Sequence, residues 1–162
     1  MKSLLDLKAS EVREKRAIRK IEDLEFAELC SPLFGEQKLS GKKLLGIRYE
    51  KACVKRVKRW FKNEEVFHNP WIRFADKNGT GFACPDIVLP ESGIIFECKL
   101  SFTPLAVPQI TDLYLPLCEK VFSRKFSRII ICKFWKGERI PELEILAHPK
   151  DVREFGLLIW SS

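Results

Sequence analysis

The sequence predicts an α/β domain built on a central mixed β-sheet flanked by helices. Three observations point there. A stretch of helical period near residues 41–62 precedes the strands. Three strand-like stretches come next, joined by two tight turns. A second helical stretch and a strongly apolar run then complete the pattern.

Residues 1–38 differ in character from the rest and read as an N-terminal arm, leaving 39–162 as the main domain. Charge of both signs is dense over 11–25, and Ile18, Ile21 and Leu24 recur at helical spacing, which predicts a short peripheral helix. Ser31-Pro32 and Gly35 break that pattern. Ser40 is a good N-cap for the helix at 41–62, and Asn63-Glu64-Glu65 end it. A strand is expected at 66–74, then the turn Asp76-Lys77-Asn78-Gly79, a strand at 81–89, the turn Pro90-Glu91-Ser92-Gly93 and a strand at 94–100. Together these form an antiparallel meander. Helical spacing resumes at 108–122. Residues 128–134 are apolar enough for a buried strand, and 142–147 and 156–160 are further strand candidates.

A chain of 162 residues, 46% apolar, is long enough for one domain with a real core and is too apolar for a disordered tail. Its formal charge of +7 favours encounters with a polyanion, nucleic acid being the commonest. Asp6 interrupts Leu4, Leu5 and Leu7, which does not read as a signal peptide, and no apolar stretch approaches the roughly 18 residues of a membrane span. The expectation is a soluble cytoplasmic protein. The six cysteines (Cys30, Cys53, Cys84, Cys98, Cys118, Cys132) have no zinc-site spacing and read as reduced thiols in the core, suiting a reducing compartment.

On a helical wheel of 41–62, Glu50 falls in the middle of an apolar stripe made of Gly46, Ile47, Cys53, Val54, Val57, Trp60 and Phe61. A carboxylate on that face must pair with a cation, bind a metal or take a proton. Gly46, one turn earlier, suggests close packing against the backbone beside Glu50. The opposite side gathers Arg48, Lys51, Lys55, Arg56, Lys58, Arg59 and Lys62 without an acid among them. Lys51, Lys55, Lys58, Arg59 and Lys62 are therefore the candidate phosphate contacts, although a solvated face explains them equally well.

The strands carry the stronger signal. Alternation puts Glu97 and Lys99 on one face of their strand, while Phe96, Cys98 and Leu100 take the other. Asp86 follows Pro85 on the preceding strand, and the turn through Gly93 folds the two strands together, so Asp86 and Glu97 can approach. Two close carboxylates repel unless a cation lies between them, and oxygen donors suit Mg²⁺ or Mn²⁺. Hydrolysis of a phosphodiester needs an activated water and charge neutralisation at the phosphate. Lys99 can orient or deprotonate the water or oppose the charge that develops, and a lysine beside a metal should lose its proton more readily. A lone Glu-x-Lys in a strand is usually a same-face structural ion pair; Asp86 and Glu50 set this one apart.

Pro85-Asp86 followed by Glu97-Cys98-Lys99 resembles the signature of the PD-(D/E)XK nuclease superfamily. The order helix, three-strand meander, helix, strand (αβββαβ) is also similar to that family's restriction-endonuclease-like core. The resemblance implies Mg²⁺-dependent cleavage of DNA. It further implies metal binding by Asp86, Glu97 and the backbone carbonyl of Cys98, with Lys99 catalytic. Glu50 matches the additional acidic residue that many members place on the first helix. Gln109 matches a glutamine of the RecB-like and VRR-NUC-like branches. In the RecB-like motif a tyrosine follows that glutamine by four positions, whereas Tyr114 follows Gln109 by five. No iron–sulfur cysteine set is recognisable.

Most other residues read as structural. His68 lies in a strand and His148 near a turn, Trp60, Trp71, Trp135 and Trp160 read as packing or rim residues, and the basic residues 124–128 either touch a nucleic-acid backbone or solvate a turn. The competing reading is a non-catalytic nucleic-acid-binding module whose acidic cluster is a structural ion-pair network. RNA would serve the same chemistry as DNA. Cutting two strands with one kind of site would suit a homodimer, and so short a nuclease would suit a phage or mobile element.

Overall fold

In the computed structural model, the described residues are 18–33, 40–103, 105–134, 144–145 and 155–159. They form two sheets and two helical layers. In chain order the elements are β1 (Phe26–Cys30), α1 (Gly41–Trp60), β2 (Phe67–His68), β3 (Trp71–Asp76), β4 (Gly79–Ala83), β5 (Ile87–Leu89) and β6 (Ile94–Ser101). Then come α2 (Ala106–Pro108), a π-helical stretch (Gln109–Tyr114), α3 (Leu115–Phe122), β7 (Ser127–Phe134), β8 (Glu144–Ile145) and β9 (Phe155–Ile159). Among the described residues no helix is long and apolar enough to cross a membrane.

The α/β class and the mixed sheet agree with expectation. The six-stranded sheet runs β2-β5-β6-β7-β9-β8. Its β2–β5 and β5–β6 pairs are antiparallel, and β6–β7, β7–β9 and β8–β9 are parallel. The meander is more broken than the sequence pattern predicts. The strand expected at 66–74 is two strands in different sheets, because Asn69 takes a left-handed φ of 51° and Pro70 follows it. The strand expected at 81–89 likewise divides at Cys84-Pro85-Asp86, sending β4 into a second sheet, β1-β3-β4.

No helix covers the described part of 11–25; residues 18–25 are irregular, and 11–17 lie outside the described residues. The chain beyond them forms a strand: β1 pairs antiparallel with β3 from Phe26↔Ala75 to Cys30↔Trp71. The approach is tied down as well, with Ile21 N–H donating to the Asp112 carbonyl and Arg19 pairing with the buried Asp76. The helical spacing of Ile21 and Leu24 instead serves packing against the core shared by the two sheets. His148, Trp135 and Trp160 lie outside the described residues.

Both faces of the central strands β5, β6 and β7 carry buried apolar residues. Ile87, Leu89, Ile94, Phe96, Ile129 and Ile131 pack against Tyr49, Cys53, Val54, Val57 and Phe61 of α1. On the other face Val88 and Ile95 meet Ile110, Tyr114, Leu117 and Phe126, together with Ile72, Phe74 and Ala83 of the small sheet. Burying this apolar area on both faces is the main source of stability. The β5–β6 turn depends on Gly93: its φ is +67°, and a Cβ there would stand 2.6 Å from the Lys125 carbonyl.

Candidate active site

The site arises where β5 leaves β6. The two strands pair only from Ile87↔Phe96 to Leu89↔Ile94. Pro85 has no N–H with which to extend the ladder, and the chain turns away toward β4. The second half of β6 therefore keeps its β7 partner on one edge and has an open edge on the other. Asp86 closes part of that gap: its Oδ2 accepts the Cys98 N–H at 2.6 Å. The N–H and C=O of a strand residue leave the same edge, so the Cys98 carbonyl also leaves β6 on the open side.

A cleft of about 410 Å³ occupies this gap. It is lined by Glu50, Asp86, Glu97, Cys98, Lys99 and Gln109, together with Lys43, Gly46, Ile47 and Leu100. Side chains distant along the chain thus share one cavity. Glu97 is 1% exposed; its Oε1 accepts from Lys99 Nζ at 2.7 Å, and its Oε2 is buried without a hydrogen-bond partner. Lys99 Nζ also donates to Gln109 Oε1 at 3.2 Å. Gln109 Nε2 in turn donates to the Tyr114 hydroxyl at 2.7 Å.

Burial, and then the nearby Glu97 and Glu50 charges, push the Asp86 carboxyl well above the usual carboxylate range; the Cys98 N–H and Lys99 only partly oppose this. Burial also raises Glu97, against the pull of Lys99, with Glu50 adding to the rise. Burial disfavours the charged form of Lys99, but Glu97 and Asp86 outweigh it and hold the ammonium charged. Burial together with Asp86, Glu50 and Glu97 pushes the Cys84 thiol up to about 12, so it stays protonated.

Glu50 sits in the α1 stripe as the wheel predicts, with a side chain only 17% exposed. Its partner is neither lysine nor arginine but His68, whose Nε2 lies 2.7 Å from Glu50 Oε1 and 3.1 Å from Asn69 Nδ2. Gly46 departs from expectation: nothing lies within 4 Å of where its Cβ would be, so the glycine widens the cleft and accommodates no close packing. Lys51, Lys55, Lys58 and Arg59 of α1, and Lys62 just beyond its end, are exposed, and none of them lines the cleft. Arg59 and Lys62 border a separate cavity of about 530 Å³ with Glu64, Glu91 and Ser92, which brings no comparable carboxylate cluster together.

Three residues join the site that sequence reasoning set aside or passed over. His68 carries no signal linking it to a helix eighteen positions earlier. Lys43 was legible, because seven positions before Glu50 is nearly the same angle on the wheel. Tyr114 is off the face of Gln109 in an α-helix, but residues Gln109–Tyr114 wind as a π-helix, with the Leu115 N–H reaching back to the Ile110 carbonyl. The extra residue per turn stacks position i+5 where an α-helix stacks i+4.

The donor set suits a hard divalent cation. It consists of carboxylate oxygens and an outward carbonyl, and it includes a buried oxygen with no partner. Among the described residues no three His, Cys, Asp or Glu side chains stand close enough to form a ready cage. Lys99 occupies one oxygen of Glu97, the Cys98 N–H one of Asp86, and His68 one of Glu50. Compared with known proteins, the chain matches no family model, no curated protein and no solved structure.

Proposed function

We propose that the chain is a nuclease that hydrolyses DNA phosphodiester bonds with Mg²⁺ or Mn²⁺, through a PD-(D/E)XK-type site on a restriction-endonuclease-like core. The observation that carries this reading is the single cleft lined by Glu50, Asp86, Glu97, Lys99 and Gln109, with one Glu97 oxygen buried and unpartnered inside it. Asp86, Glu97 and the Cys98 carbonyl would hold the cation, with Glu50 as a further carboxylate. A divalent ion bound there lowers the pKa of water and polarises the phosphate. Lys99, held by Glu97 and Gln109, keeps its ammonium toward the phosphate and opposes the negative charge that builds as water adds to phosphorus and the P–O bond breaks. The positive balance of the chain favours a polyanionic substrate, and a homodimer would let one kind of site cut both strands.

A second reading has its own support. The Lys99–Glu97 and His68–Glu50 pairs satisfy much of the cluster without any ion, as a structural network in a nucleic-acid-binding module would. The test is a panel of labelled single-stranded, duplex and branched DNA, with an RNA control, incubated with Mg²⁺, with Mn²⁺ or with chelator. The nuclease reading expects metal-dependent cleavage that Asp86→Ala and Lys99→Ala abolish. Binding without cleavage in every metal condition would sink it in favour of the second reading.

A further inference from the structure

We infer that Lys43 is the phosphate anchor of the cleft: it holds a backbone phosphate of the nucleic acid beside the one facing Asp86 and Glu97. The inference rests on the nuclease reading for the identity of the polyanion, but not for the existence of the anchor.

The distribution of charge around the cleft singles out this residue. Two lysines line it, Lys43 and Lys99. Lys99 is committed to Glu97 and Gln109. Lys43 is exposed and, among the described residues, makes no ion pair or hydrogen bond. It lies two turns before Glu50 on the same side of α1, about 10 Å along the axis at 1.5 Å per residue. The expected row of cations, from Lys51 to Lys62, lies outside the cleft that holds the acidic groups.

The position is also costly without an anion. Lys42 and Lys43 stand in the first turn of α1, where the helix dipole disfavours cations, and that turn contains no acidic residue. Ser40 makes no side-chain cap bond to the free N–H groups there. A phosphate at this end relieves both deficits. Independently, the buried and unpartnered Glu97 oxygen in the same cleft suits a cation, and a nucleic-acid backbone offers one phosphate to that cation and a neighbouring one to the ammonium. Gly46, between the two ends, leaves the floor of the cleft open.

The test is the binding of a fluorescent oligonucleotide, single-stranded and duplex, in chelator so that no cleavage intervenes, monitored by anisotropy from about 50 to 200 mM salt. Lys43→Ala should weaken binding and reduce the salt slope by about one unit, shrinking the affinity loss across that range roughly three- to fourfold. Lys43→Arg should restore most of both. With Mg²⁺, Lys43→Ala should raise KM far more than it lowers kcat. Inorganic phosphate should compete only weakly, since one anion supplies one contact. Unchanged affinity and slope in Lys43→Ala, or a larger loss in Lys55→Ala, overturns the anchor. If the wild type never cleaves yet Lys43→Ala loses binding, the nuclease reading fails and the anchor stands; if the wild type cleaves and Lys43→Ala binds normally, the reverse holds.

Discussion

Deleting Thr111 should leave the Gln109–Tyr114 contact intact, although it removes a residue from the middle of a helix beside the cleft. In the intact chain, five positions separate the two side chains, and α-helical winding at about 100° per residue would leave them roughly 140° apart. The π-helical stretch removes that offset, so that Gln109 Nε2 meets the Tyr114 hydroxyl at 2.7 Å. With Thr111 gone, the spacing is four, and ordinary α-helix achieves the same alignment at about 40°. The side-chain hydrogen bond lost runs from Arg128 to Thr111 Oγ1 at 3.3 Å and is worth about 0.5–1 kcal/mol, while the α-helical winding replaces the backbone bonds of the stretch. The melting temperature should therefore stay within about 2–4 °C of wild type. A double-mutant cycle between Gln109→Ala and Tyr114→Phe, read by urea denaturation, should give a coupling of about 0.5–1.5 kcal/mol in both backgrounds. Inserting an alanine after Thr111 should remove the coupling. Loss of coupling in a deletion variant that still folds cooperatively would refute the idea that the π winding exists to align this pair.

Gly46→Ala should raise stability by about 0.5–1 kcal/mol, because the helix gains a better former and the new Cβ meets nothing within 4 Å; a lower melting temperature would contradict the open cleft floor. Burial disfavours ionised Asp76, but the Glu22 N–H, Arg19 and the Asn78 N–H outweigh it and hold its carboxyl below the ordinary 3.8. The stability it contributes is complete above that ordinary value and is lost as pH falls through the lower folded value. The urea midpoint of wild type should then fall more steeply between about pH 5 and pH 2 than that of Asp76→Asn. If the cleft holds Mg²⁺, the ion at about a hundred times its Kd should add about 2.7 kcal/mol to stability, measured by thermal melting, and Asp86→Asn or Glu97→Gln should erase the gain. Phe96→Ala should cost about 3–5 kcal/mol by denaturant titration, since Phe96 is fully buried between α1 and the sheet.

Local pattern was enough to read α1, β6 and β7 from the sequence. α1 repeats apolar residues at helical period and the two strands carry apolar runs bounded by turns, and each boundary found in the structure falls within two residues of the reading. The same periodicity put Glu50 on the inward face of α1 and Glu97 with Lys99 on one face of β6. It also contained Lys43, through its angle relative to Glu50, and the turn that sets Asp86 against the second half of β6. What local pattern could not express is which strand belongs to which sheet. The stretches 66–74 and 81–89 look continuous, and only the left-handed Asn69 and the N–H-less Pro85, acting with tertiary pairing, divide each between two sheets.

By itself, then, the sequence determined which residues carry charge into an apolar setting, because burying an ionisable group amid apolar neighbours leaves a trace in the spacing. Only the tertiary structure decided what those charges meet. The pairing of Glu50 with His68, the place of β1 in a sheet and the rotation of Tyr114 onto Gln109 depend on contacts between distant segments or on a change of helical winding. Such contacts depend on how whole layers pack, and no periodicity along the chain records them.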